Sequence, residues 1–234
     1  MFSCARIIPI ALLPAACGAV FAETRWSAYT GSSWTRDSDL RISQPALGTE
    51  LTLNDVAWSA RPFRPAPYYG LRVTRFLTPH WGVALDFTHY KAYANPSGTV
   101  TAMGTWHGAP VREMAPMDRY VQRFEISHGV NLLTINALYR WPRGRFEPYV
   151  GAGVGTYVPH AESTVGERPH ETSYRASGTA WQAFGGLHYR VTEHLGLFVE
   201  AKHDEGAVRV DVADGRARTR LRSWHAVAGV SWEF

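Results

Sequence analysis

The chain ends Ser223-Trp224-His225-Ala226-Val227-Ala228-Gly229-Val230-Ser231-Trp232-Glu233-Phe234. Trp224, Ala226, Ala228, Val230, Trp232 and Phe234 fall on one face of an extended strand, and Ser223, His225, Gly229, Ser231 and Glu233 fall on the other. Side chains of a strand alternate between faces, so one side of this segment is apolar and the other polar. The same alternation runs through Leu195, Leu197, Val199 and Ala201, and through Trp181, Ala183, Leu187 and Tyr189. It recurs in Phe146 to Val158, in Leu133 to Trp141, in Trp81 to Phe87, and more weakly near Tyr68 to Leu77 and Thr24 to Ser33. Eight strands are predicted.

Alternation alone also fits a soluble antiparallel sandwich. The connections separate the two. Thr78-Pro79-His80, Pro142-Arg143-Gly144-Arg145 and Thr192-Glu193-His194 are short, and they alternate with long stretches near 34–65, 94–126, 160–177 and 206–218. Short turns at one end and long loops at the other are the pattern of an even-stranded outer-membrane barrel whose turns are periplasmic. Phe76, Trp81, Tyr139, Trp141, Phe146, Tyr189, Trp232 and Phe234 gather beside the short turns, where a membrane interface places aromatic rings. The expected fold is therefore an all-β, eight-stranded antiparallel transmembrane barrel with long extracellular loops.

Arg6, the apolar run Ile7 to Val20 and the small-residue site Val20-Phe21-Ala22 read as a signal peptide, cleaved after Ala22. Residues 23–234 would then form the barrel. Both cysteines, Cys4 and Cys17, lie in that leader, so no disulfide or thiolate site is expected beyond it. All basic residues but Lys91 and Lys202 are arginine, and the net charge of +4 does not argue for nucleic acid. Arginine's planar fork suits phosphate, although a genomic bias produces the same composition.

An eight-stranded barrel has room inside only for side chains. The inward positions Arg72, Asp86, Arg140, Glu147, His188, Arg190, Glu200, Lys202, His225 and Glu233 carry both signs, as a salt-bridged plug would. Function is then expected at the outer rim. Outward parity carried upward leads from Phe87 to His89, from Val158 to His160 and from Ala201 to His203. Imidazole beside lipid headgroups suits proton transfer or metal ligation. Glu125, His128, Asn131 and Glu162 lie close enough in sequence or across a strand to partner them. The candidate catalytic set is His89, His128, Asn131, His160 and Glu162, and Arg123, Arg175 and Arg218 are the candidate lipid-phosphate contacts. No G-x-S-x-G elbow, H-E-x-x-H helix or phosphate-cradling glycine loop is present.

The words Asp86-Phe87-Thr88-His89-Tyr90-Lys91-Ala92-Tyr93-Ala94, His128-Gly129-Val130-Asn131 running on to Arg140, and Pro148-Tyr149-Val150-Gly151-Ala152-Gly153 running on to Glu162 resemble the rhizobial lipid A oxidase family. That resemblance implies an outer-membrane enzyme that uses dioxygen to oxidise the proximal glucosamine of lipid A to 2-aminogluconate. Lipopolysaccharide and the barrel-assembly machinery, which reads a terminal aromatic such as Phe234, would be its partners. No cofactor is assigned, and a divalent metal is compatible with the rim histidines. The stretch from Asn95 to Arg123 is longer than the family pattern. The alternative is a non-catalytic small barrel with a structural, adhesive or porin-like role.

Overall fold

The structure, a computed structural model, describes residues 23–234. The expected signal peptide lies outside the described residues. Strands run in chain order as β1 (Glu23–Thr35), β2 (Ser38–Gln44), β3 (Thr49–Val56), β4 (Trp58–Ser59), β5 (Tyr69–Phe76) and β6 (Trp81–His89). Then come β7 (Ala92–Ala94), β8 (Thr99–Trp106), β9 (Ala109–Pro116), β10 (Val121–Ile126), β11 (Leu132–Arg140) and β12 (Phe146–Tyr157). The chain finishes with β13 (Glu162–Val165), β14 (Arg168–Glu171), β15 (Ser177–Arg190), β16 (Leu195–Val212) and β17 (Gly215–Glu233).

Eight of these, in the order β1-β5-β6-β11-β12-β15-β16-β17, are antiparallel neighbours, and β17 closes on β1 with Trp26 opposite Trp232 and Trp34 opposite Trp224. Closure leaves no open edge in the apolar band, which lipid would not tolerate. Two of the short turns share one device. Thr78 Oγ1 accepts from the amides of His80 (3.2 Å) and Trp81 (2.8 Å), and Thr192 Oγ1 accepts from those of His194 (3.3 Å) and Leu195 (2.9 Å). A side-chain oxygen thus satisfies backbone donors that a two-strand reversal leaves unpaired.

The lumen is filled in layers. Nearest the short turns, Arg25 binds Glu147 (2.6 Å) and Glu233 (2.8 Å), while Arg140 binds Glu23 (2.6 Å) and Glu147 (3.2 Å). In the middle, Arg72 bridges Glu200 (2.7 Å) and Asp86 (3.0 Å), and Lys202 reaches Asp86 at 2.8 Å. Above them Asp204 takes His225, Tyr157 and Tyr90. The space left between the lower two layers is about 10 Å³, room for roughly one water. Glycines admit the large inward rings: a Cβ on Gly151 would stand 2.3 Å from the Phe184 ring, and one on Gly186 would stand 2.6 Å from that of Tyr149.

The stretches expected to be long loops are largely β-structure. β16 and β17 continue far past the band and turn only at Ala213-Asp214. Along both, the inward face stays inward but its chemistry inverts. On β16, Glu200, Lys202 and Asp204 point in below, and Val208, Val210 and Val212 point in above. On β17 the outward Trp224, Ala226 and Ala228 give way to outward Arg222, Arg220, Arg218 and Arg216. An exchange of apolar-out for apolar-in marks where the strands leave lipid and enter water. β2, β3, β8 and β9 extend the sheet from the upper half of β17, and β14-β13-β10-β7-β4 form a second sheet. Both contribute to one buried apolar cluster that includes Leu40, Ile42, Leu51, Leu53, Phe124 and Ile126. Sequence reading missed this cap because it treated alternation outside the barrel as loop, although Leu40/Ile42 and Leu51/Leu53 alternate as regularly as any barrel strand.

Candidate functional site at the outer rim

The site sits at the top of β6, β11 and β12, directly above the outward Phe87, Leu133 and Val154. The segment Gly129-Val130-Asn131 is threaded between two strand ends. Val130 donates to the Tyr90 carbonyl (2.7 Å), Val158 to the Asn131 carbonyl (2.9 Å), and His160 to the Gly129 carbonyl (3.2 Å). Gly129 adopts φ 111°, and a Cβ there would lie 2.4 Å from the His89 ring and 2.5 Å from Asn131 Oδ1. Only glycine admits that approach.

Asn131 is also left-handed, at φ 52°. Its amide nitrogen donates to the carbonyls of Val158 (3.0 Å) and Gly129 (3.3 Å), which fixes the amide orientation. Oδ1 therefore accepts from His89 Nδ1 at 2.8 Å, and the neutral His89 ring carries its proton on Nδ1. His89 Nε2 is buried and makes no hydrogen bond among the described residues. The outward parity of His89 does not bring its ring into lipid: it is 4% exposed, stacked on Tyr69 at 4.8 Å.

His128 and His160 stack face to face, with centroids 4.6 Å apart and planes at 25°. Each has a carboxylate beside it. His128 Nδ1 is 3.2 Å from Glu162 Oε1, and His160 Nε2 is 3.0 Å from Glu171 Oε1. Glu162 is engaged on both oxygens. Ser127 Oγ donates to Oε1 (2.9 Å), and Arg123 Nη2 approaches Oε2 at 2.6 Å. Arg123 also donates to Glu125 from Nε at 2.8 Å, and that hydrogen bond holds its guanidinium above its ordinary pKa range. Tyr174 packs edge-on against His160 at 4.8 Å and donates to the His128 carbonyl at 3.2 Å.

The structure thus brings together all five residues of the sequence-derived set, with Arg123 among them. His203 stands apart, between Trp181 (5.2 Å) and Trp224 (4.6 Å) in the outer aromatic ring. Arg218 lies on β17, which is four strands from β11 in either direction around the barrel. There it is flanked in register by Arg209 of β16 and Arg41 of β2, all three exposed. Arg175 lines a separate depression with Arg209 and Arg216. Sequence reading missed Glu171 and Tyr174. The sequence offered one signal for Glu171, the glycine of Gly166-Glu167, which suits a two-residue hairpin turn; in the structure both residues take positive φ and the turn sets Glu171 opposite Glu162.

Fold and site together define a sealed eight-stranded transmembrane barrel of the outer-membrane type, carrying a β-structured extracellular cap and a histidine-carboxylate cluster at its outer rim. No family model and no curated protein matches the sequence. Among solved structures, the chain is similar to neisserial surface protein A, with 15% identity, 91% of this chain and 97% of that one covered, and a TM-score of 0.44. OprG from Pseudomonas aeruginosa aligns at 13% identity over 91% and 95% of the two chains, with a TM-score of 0.42. The outer membrane protease OmpT from Escherichia coli aligns at 8% identity over 92% and 98%, with a TM-score of 0.45.

Proposed function

We propose that this protein is an outer-leaflet enzyme that modifies lipid A, oxidising its proximal glucosamine to 2-aminogluconate with dioxygen. The observation that carries the reading is the stacked His128–His160 pair, with a carboxylate beside each ring, standing immediately over the lipid-facing wall. The resemblance of the strand words around it supplies the reaction. In that reaction the sugar lactol gives up its hydroxyl proton and the C1 hydrogen with two electrons. Dioxygen takes them and leaves as hydrogen peroxide, and water opens the resulting lactone. Half-exposed His128, oriented by Glu162, is the group suited to take the hydroxyl proton. His89 and Asn131 are enclosed and hold the segment bearing His128 in place.

A lactol carries no phosphate on C1, so Arg123 would hold a phosphate elsewhere on the bound lipid A. The Arg41-Arg218-Arg209 row, on the opposite wall, would hold a second lipopolysaccharide, since like charges set side by side favour a polyanion between them. Mass spectrometry of lipid A from cells with and without the gene tests the proposal. A shift of one oxygen atom, abolished by His128→Ala and by Glu162→Gln, is expected. Unchanged lipid A in aerated cells that insert the barrel normally refutes it and leaves the non-catalytic reading, which the well-built cap and its exposed arginine face favour.

A further inference from the structure

The cluster holds more than a proton-transfer pair requires. One donor atom from each of His128, His160 and Glu171 lies within 4.8 Å of the others. We infer that these three residues bind a divalent first-row transition ion, with Glu162 orienting His128 from behind.

Four features of the geometry support this. First, both ring nitrogens of His160 are buried and neither makes a hydrogen bond among the described residues, although Glu171 Oε1 is only 3.0 Å from Nε2. A neutral imidazole carries a proton on only one of its nitrogens, so the His160 ring has a lone pair to offer. Second, Glu162 faces His128 Nδ1 at 3.2 Å and is itself fixed by Ser127 and Arg123. A carboxylate on one imidazole nitrogen, leaving the other for metal, is the recurrent outer arrangement of histidine metal sites.

Third, carboxylates outnumber the guanidinium they share: Glu125 and Glu162 both bind Arg123, and Glu171 acts on it as well. Fourth, the donors are carried by a braced scaffold. The β13–β14 hairpin sets Glu162 opposite Glu171, Thr172 donates to the Ala161 carbonyl at 2.9 Å, and Tyr174 is tied to the His128 carbonyl.

Two imidazoles and one carboxylate select zinc, cobalt, nickel or ferrous ions over calcium and magnesium, which prefer all-oxygen shells. Donors about 2.1 Å from a tetrahedral ion stand roughly 3.4 Å apart, so the cluster must contract by about 1.4 Å at its widest. Half-exposed His128 and exposed Glu171 can close that gap by side-chain rotation. Three protein donors leave at least one position open, as in catalytic rather than structural sites.

The inference rests on the proposed function and changes one role in it, since with the ion on His128 it is the ion, not that ring, that would activate the lactol hydroxyl; its test needs no lipid. Purified full-length barrel in detergent, stripped with chelator, is titrated with Co²⁺ and followed by visible d–d absorption, and bound ion is counted by mass spectrometry. One Co²⁺ per chain is expected, with an imidazole-containing spectrum. His160→Ala should abolish the signal, and Glu162→Gln should weaken affinity about 10- to 100-fold, the usual effect of losing an outer partner. His203→Ala, outside the cluster, should bind like the parent, and heat-modifiable gel mobility establishes that each variant is folded. Absence of the spectrum in folded parent protein, or equal binding by folded His160→Ala, overturns the inference. Metal binding with unaltered lipid A refutes only the proposed reaction, and altered lipid A without metal binding refutes only the ion.

Discussion

Replacing Asp86 with Asn tests whether the lumen is a dry, charge-balanced plug. The middle layer holds two cations, Arg72 and Lys202, and two carboxylates, Asp86 and Glu200, all with side chains at most 4% exposed. Asp86 is 2.8 Å from Lys202 Nζ and 3.0 Å from Arg72 Nη2, and it also accepts from Tyr29 (2.7 Å) and Gln182 (3.0 Å). At an effective dielectric near 20, the Asp86–Lys202 attraction alone is about 6 kcal/mol, most of which offsets desolvation. Asp86→Asn leaves the layer at plus one with Lys202 fully enclosed, and removing one member of a buried pair costs about 3–5 kcal/mol. Lys202→Met leaves it at minus one and should cost a similar amount. The double variant is neutral again, so its cost should fall short of the sum of the two by about 1–3 kcal/mol. Urea unfolding in vesicles, followed by tryptophan fluorescence and gel mobility, measures all three. Single variants costing under about 1 kcal/mol, with strict additivity, would mean that water solvates these charges, and the sealed-lumen argument would fail.

Gly129→Ala should displace the Gly129-Val130-Asn131 segment, because the new Cβ meets His89 and Asn131 at a left-handed φ of 111°. A loss of about 1–3 kcal/mol is expected, together with loss of Co²⁺ binding, and wild-type values in both assays would contradict the assigned packing. Tyr120 in the cap is pushed up to about 12 by burial and by its hydrogen bond to Glu113 at 2.5 Å. A phenol whose folded pKa is raised contributes stability in full below its unfolded value near 10, and that contribution disappears as pH rises through 12. Alkaline unfolding of the cap, monitored at Trp106, which packs edge-on to Tyr120 at 5.2 Å, should therefore flatten in Tyr120→Phe. An unchanged alkaline profile would count against the Tyr120–Glu113 contact.

Period-2 patterning and connection length were enough to specify an eight-stranded barrel, its direction and its charged lumen. Alternation is a local property, and lipid on one side of a closed sheet demands it strand by strand. The rim candidates were legible for the same reason, since parity carried upward from Phe87 and Val158 reaches His89 and His160. What tertiary structure alone decided is which rim groups meet. Parity places His89 outward, but the strand-to-strand threading of Gly129 and Asn131 covers it. His128 stacks on His160 because the Gly129 carbonyl accepts the His160 amide, and the β13–β14 hairpin folds Glu171 back onto His160. The arginines divide between opposite walls because barrel order, not sequence distance, sets their neighbours. Such contacts depend on which strands close on one another, and that is a property of the whole sheet rather than of any one segment.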